Sequence, residues 1–223
     1  PWYMRLNPGG TVPTLVHDGK VFPESRDILH HLDTGFPGPE LWQGRAERDE
    51  IDNWIARLYA VSFRELSYGS PRVRKLGVWI NGKRVRNLRQ RQKANPELAE
   101  LYAAKIKDIE TFSRNALDAG HMQAAGKALE HTLDRLDATL KLRPLLAGEH
   151  YTMADLVWTV GIARLIMLGM APLENRTALN TWYGRMKSRP SFGTAGVMER
   201  FRPSAIARVL WAKFRNRLSG RCG

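Results

Sequence analysis

The feature that most constrains this chain is a change of period along it. Up to residue 35 the pattern is that of short strands and one helix; after about residue 45 every apolar stripe has helical spacing. Thr14-Leu15-Val16 is a short apolar run, His17-Asp18-Gly19-Lys20 carries an Asp-Gly hairpin signal, and Val21-Phe22 resumes the strand. A helix is predicted from Ser25, with Ile28, Leu29 and Leu32 on one face and Gly35 as its stop. Gly35-Phe36-Pro37-Gly38-Pro39 then reads as a linker. The predicted division is residues 1–35, a linker at 36–44 and a helical domain over 45–223, an α+β chain with its strands at one end.

The helical part is organised by its apolar stripes. Ile51, Trp54, Ile55 and Leu58 share a face. Pro96 sits where a first helical turn tolerates it, ahead of Leu98, Leu101, Tyr102, Lys105, Ile109 and Phe112. Leu129, Leu133, Leu136 and Leu140 repeat at four, three and four residues and stop at Pro144. Thr152-Met153-Ala154-Asp155 has the spacing of a capping box, with Tyr151 and Leu156 placed for a hydrophobic staple. The helix behind it (Leu156, Val157, Trp158, Val160, Ile162, Leu165, Ile166) is apolar almost all round. It is therefore the expected buried centre, and Thr152 and Asp155 are expected to serve structure.

Composition narrows the function classes. Hydrophobic residues at 43% and charged residues at 26% fit a globular protein. The most apolar stretch, residues 156–171, is broken by Thr159, Gly161, Arg164 and Gly169, too interrupted for the roughly 20 apolar residues of a membrane span. One cysteine, Cys222, leaves no internal disulfide and no cysteine-based metal cluster, which points to a reducing, cytoplasmic setting; no metal site is expected. The net charge of +13 is concentrated in one stretch, from Arg72, Arg74 and Lys75 through Lys83, Arg84, Arg86, Arg89 and Arg91 to Lys93, with no acidic residue between Glu65 and Glu97. Three readings stay open for it: a solvated helix face, an amphipathic helix on an anionic membrane surface, or an electropositive rim over a substrate pocket. Nucleic acid ranks last, because no recognised module accompanies the charge.

Asn7-Pro8-Gly9-Gly10-Thr11-Val12-Pro13 carries the chemistry, with Glu24-Ser25 beginning eleven residues after Pro13. A valine-proline bond entering a strand is a candidate cis peptide. In that form the amide and carbonyl at Val12 could pair, strand-fashion, with an extended peptide. Ser25 at a helix N terminus suits a carboxylate, and Glu24 beside it suits an ammonium. An edge that pairs with peptide backbone, next to a site for both ends of an amino acid, fits the γ-glutamyl-cysteinyl-glycine of glutathione.

The stretch from Asn7 to Asp33 resembles the end of the glutathione transferase N-terminal domain, and Thr152 to Leu165 resembles the capped core helix of that family's C-terminal domain. Within the family the chain is most similar to tetrachlorohydroquinone dehalogenase-like transferases and to ganglioside-induced differentiation-associated proteins. That likeness rests on the insertion at about 72–125, on Asn95-Pro96-Glu97-Leu98 with Tyr102 and Lys105, and on Trp182-Tyr183 with Met186 to Phe192. The resemblance implies the C-terminal half of a thioredoxin-like domain followed by an all-α domain. It implies glutathione as co-substrate, Val12 and Pro13 against the cysteinyl backbone, and Glu24 with Ser25 at the γ-glutamyl end. A cytoplasmic, detoxifying homodimer acting on a small hydrophobic electrophile is the corresponding expectation, with Trp54, Tyr59 and Tyr68 as candidates for the electrophile's pocket. Two departures stand out. Thr11 occupies the place where many members carry a basic residue or glutamine for the glycyl carboxylate, so that contact is expected from elsewhere, with Arg5 and Lys20 as candidates. Nothing matches the family's activating Ser, Cys or Tyr, which is expected upstream of Pro1. The rival reading is a non-catalytic protein of the same fold that docks on a membrane or partner through the basic insertion and the tail at 204–218.

Overall fold

The computed structural model describes residues 1–42, 45–69, 71–170 and 173–197. The chain opens with a short helix, α1 (Trp2–Leu6), followed by the Asn7–Thr14 loop. Five residues are too few for a period to show, so spacing gave no sign of this helix. The strands β1 (Leu15–His17) and β2 (Lys20–Phe22) pair antiparallel, Leu15 opposite Phe22 and His17 opposite Lys20. Asp18 at φ 49° and Gly19 at φ 74° make the two-residue turn, both in the left-handed region that matches the strand twist. α2 (Ser25–Gly35) follows, with Ile28 and Leu29 half-buried but Leu32 exposed, a narrower covered face than the spacing predicts.

The rest is helical: α3 (Arg45–Ala60), α4 (Phe63–Gly69), α5 (Pro71–Ala94), a 3-10 turn at Pro96–Leu98, α6 (Ala99–Leu117), α7 (Ala119–Leu142), α8 (Met153–Met167), α9 (Thr177–Lys187) and α10 (Pro190–Thr194). This is the arrangement expected from the change of period, a thioredoxin-like opening with two strands and then helices.

The described residues form two compact units. One joins residues 1–41 to 61–130; the other joins 42–60 to those from 131 on, so α7 contributes to both. The described residues of the insertion thus fall in the unit that holds the strands. In the first unit α5 and α6 lie side by side and antiparallel: Asn81 bonds Ser113, Arg89 bonds Glu110, and Gln92 bonds the Ala99 carbonyl. Val85, Ile106 and Ile109 fill one seam between them, and Met4 of α1 joins Leu98 and Tyr102 in another.

In the second unit α8 is the centre. Trp158, Ile162, Ala163 and Leu165 are wholly buried, and the Trp158 indole donates to the Trp54 carbonyl of α3 at 2.8 Å. Asp155 closes the helix start: the Thr152 amide and hydroxyl each donate to its Oδ2 at 3.1 Å. Its Oδ1 accepts from the Leu146 amide at 3.1 Å and from the Trp182 indole at 3.0 Å, so one carboxylate joins the preceding loop, α8 and α9. Burial pushes this carboxyl up, and those donated hydrogen bonds oppose the rise. Among the described residues no helix is long and apolar enough to cross a membrane.

Candidate functional site

The site is built around the loop that α1 delivers. Asn7 is 1% exposed and works as its internal clamp. Its Nδ2 donates to the Thr11 carbonyl at 3.0 Å and to Thr14 Oγ1 at 2.8 Å, while its Oδ1 accepts from the Gly9 amide at 3.0 Å. Gly10 turns the chain at φ 56°, where a Cβ would meet Met4 Sδ at 3.0 Å, so this position demands glycine. The Tyr3 hydroxyl also donates to the Thr11 carbonyl, from the helix side.

These contacts fix Val12. The Thr11 carbonyl and the Val12 N–H belong to one planar trans peptide and point in opposite directions. Holding the carbonyl back toward Asn7 and Tyr3 therefore turns the Val12 N–H outward. Val12 is 81% exposed, its bond to Pro13 is cis, and among the described residues neither its amide nor its carbonyl enters a backbone hydrogen bond. The result is an exposed, extended loop segment whose backbone groups at Val12 are unpaired among the described residues.

Beside this segment lies a cavity of about 580 Å³, within the range of small-molecule sites. Gly10, Thr11 and Val12 form one side; Leu88 of α5 with Tyr102 and Ile109 of α6 form an apolar wall. Arg64, Arg84, Arg91 and Lys105 bring positive charge to it, and among the described residues no carboxylate lines it. Lys105 donates to the Gly9 carbonyl at 3.0 Å, placing an ammonium just ahead of Val12. The two residues expected to supply the glycyl contact each have a partner. Arg5 pairs with Glu97, and the Lys20 ammonium lies 5.2 Å over the Phe22 ring. Spacing alone could not find Lys105, because it comes from 93 residues beyond Val12 along the chain.

The other expected site residues fall as follows. Glu24 stands just before α2 in an extended conformation and Ser25 is its first residue; no side chain caps this helix start. Neither they nor Pro13 line the cavity beside Val12. Trp54, a candidate for the electrophile's pocket, is instead a core residue at 4% exposure, edge-on to Trp158, because its stripe on α3 packs against α8. Tyr59 is 53% exposed near the end of α3 and does not line the cavity either. The Tyr68 side chain, those of Arg72, Arg74 and Lys75, the tail at 204–218 and Cys222 lie outside the described residues. Of the basic insertion's remaining cations, Arg89 pairs with Glu110 at 2.8 Å and the Lys83 ammonium sits 3.6 Å from the Trp79 ring centroid.

Both parts of the chain resemble known proteins. The glutathione S-transferase N-terminal domain matches residues 1–34, and the glutathione S-transferase C-terminal domain matches residues 92–190. The tetrachloro-p-hydroquinone reductive dehalogenase of Sphingobium chlorophenolicum is 34% identical over 204 residues, covering 89% of this chain and 79% of that protein. Ganglioside-induced differentiation-associated protein 1-like 1 of Homo sapiens is 22% identical over 227 residues, covering 86% of this chain and 61% of its own length. The crystal structure of the beta-etherase LigF from Sphingobium sp. strain SYK-6 shares the fold, with a TM-score of 0.63 at 23% identity over 89% of this chain and 82% of that one. With both domains matched and a relative this similar over most of its length, the chain belongs to the glutathione S-transferase family.

Proposed function

We propose that this chain is a glutathione-dependent enzyme that binds glutathione along Val12 and conjugates it to, or uses it to reduce, a hydrophobic electrophile held in the adjoining cavity. The single observation that carries the reading is the outward, unpaired Val12 amide, fixed from behind by Asn7 and Tyr3 at the side of a cavity of about 580 Å³. An extended tripeptide pairs with such a segment through its central backbone, as a strand would. The uncapped N terminus of α2, with Ser25 in its first turn, suits the γ-glutamyl carboxylate, and Glu24 suits the amine beside it. Lys105, just ahead of Val12, takes the glycyl carboxylate that a basic residue at Thr11 serves elsewhere in the family. The dehalogenase relative supports a reductive use of glutathione, and the family as a whole supports conjugation.

Retention on immobilised glutathione tests this. The full-length protein should be retained and eluted by free glutathione. Changing Ser25 to Ala should weaken retention, because the loss of one hydrogen bond to a charged group costs about 2 kcal/mol, or some thirtyfold in affinity. Folded protein that passes straight through the column would overturn the reading.

A further inference from the structure

The cations of the cavity are not equivalent. Arg64 holds Asp108 at 3.0 Å and lies 4.0 Å over the Phe112 ring, and Lys105 is bound to the Gly9 carbonyl. Arg84 and Arg91 have no ion pair or side-chain hydrogen bond among the described residues, although Arg89 between them is paired with Glu110. They stand seven residues apart, two turns of α5, so both project on one face with Leu88 between them. Across from this face is Tyr102, 1% exposed, whose hydroxyl has no hydrogen-bond partner among the described residues. Two guanidiniums with no counter-ion among the described residues, beside an apolar wall, focus a positive potential into the space between them.

From this face we propose that the acceptor is an apolar, ring-sized compound bearing an anionic group such as a carboxylate, sulfonate or phenolate. Arg84 and Arg91 hold the anion, and Leu88, Tyr102 and Ile109 pack the ring. The inference rests on reading the Val12 cavity as the place where glutathione meets its acceptor. Planar guanidiniums suit such oxyanions because each offers a fork of donors.

Two dyes with the same aromatic body isolate the charge: 8-anilinonaphthalene-1-sulfonate, and N-phenyl-1-naphthylamine, which lacks the sulfonate. Fluorescence titration of the full-length protein should show the sulfonate bound about tenfold or more tightly than the neutral dye. The double variant Arg84→Gln/Arg91→Gln should lose that preference while keeping its affinity for the neutral dye, and Arg86→Gln, exposed on the same helix but outside the cavity, should behave as wild type. Equal binding of the two dyes by the wild-type protein overturns the proposal whatever the variants do. So does a double variant that keeps the preference. Calorimetric titration with glutathione separates the two readings. If the double variant loses glutathione affinity as strongly as sulfonate affinity, the arginines serve glutathione's own carboxylate and the acceptor proposal falls. If the wild type fails to bind glutathione yet prefers the sulfonate, the anion site stands and the glutathione reading falls.

Discussion

Single buried polar side chains do much of the positioning in this chain, and Asn7 and Asp137 show how. Asn7 organises the loop ahead of Val12 by offering both halves of its amide to backbone and hydroxyl partners, so the loop's shape is set before any ligand arrives. Asp137, 4% exposed on α7, accepts from the Leu179 amide at 3.0 Å and pairs with Lys141 at 2.8 Å, so it caps the first turn of α9 from another helix. Burial pushes its carboxyl up, but the Lys141 bond and charge and the Leu179 and Ala178 amides outweigh that, and it titrates below the usual carboxylate range. A depressed carboxyl contributes stability that is complete above its unfolded value and lost as pH falls through the folded one. Asp137→Ala should therefore cost about 2 kcal/mol at neutral pH, with the gap to wild type closing below about pH 4. Urea unfolding of both proteins at several pH values measures it; a gap that stays constant into acid would contradict the assignment. The Asp137 role was not legible from the sequence, where the residue is one more charge in a leucine-rich helix.

Among the elements, α8 was the most legible and the α5–α6 pair the least. An apolar run entered through Thr152 and Asp155 can only be a capped, buried helix, and the structure adds that Asp155 also accepts from Leu146 and Trp182. Local spacing shows a cap; it cannot show partners that come from other parts of the chain. Asp155→Ala should cost about 3 kcal/mol or more, since it leaves two amides and an indole N–H buried without an acceptor. A loss under about 1 kcal/mol in chemical denaturation at neutral pH would show that the helix starts without its carboxylate. For α5 the sequence showed charge but not its use. A run of Arg and Lys looks the same whether it solvates a face or lines a cavity, and only the pairing with α6 distinguishes Arg89, held by Glu110, from Arg84 and Arg91, which line the cavity.

At the scale of the whole molecule, the change from strand to helical period was enough for the fold class, and Val12-Pro13 carries the cis bond that its sequence suggested. Apolar stripes do not say which surface they face, and Trp54 packs against α8 as core. Lys105, Arg84 and Arg91 reach the cavity through tertiary packing across the insertion, which no local pattern encodes. The proposed glutathione site turns on one atom, the Val12 amide. Amide hydrogen exchange at Val12, followed by NMR with and without saturating glutathione, addresses that atom directly. Pairing with the ligand's backbone should slow its exchange about tenfold or more. Exchange at Val12 left unchanged while glutathione is demonstrably bound would contradict the account.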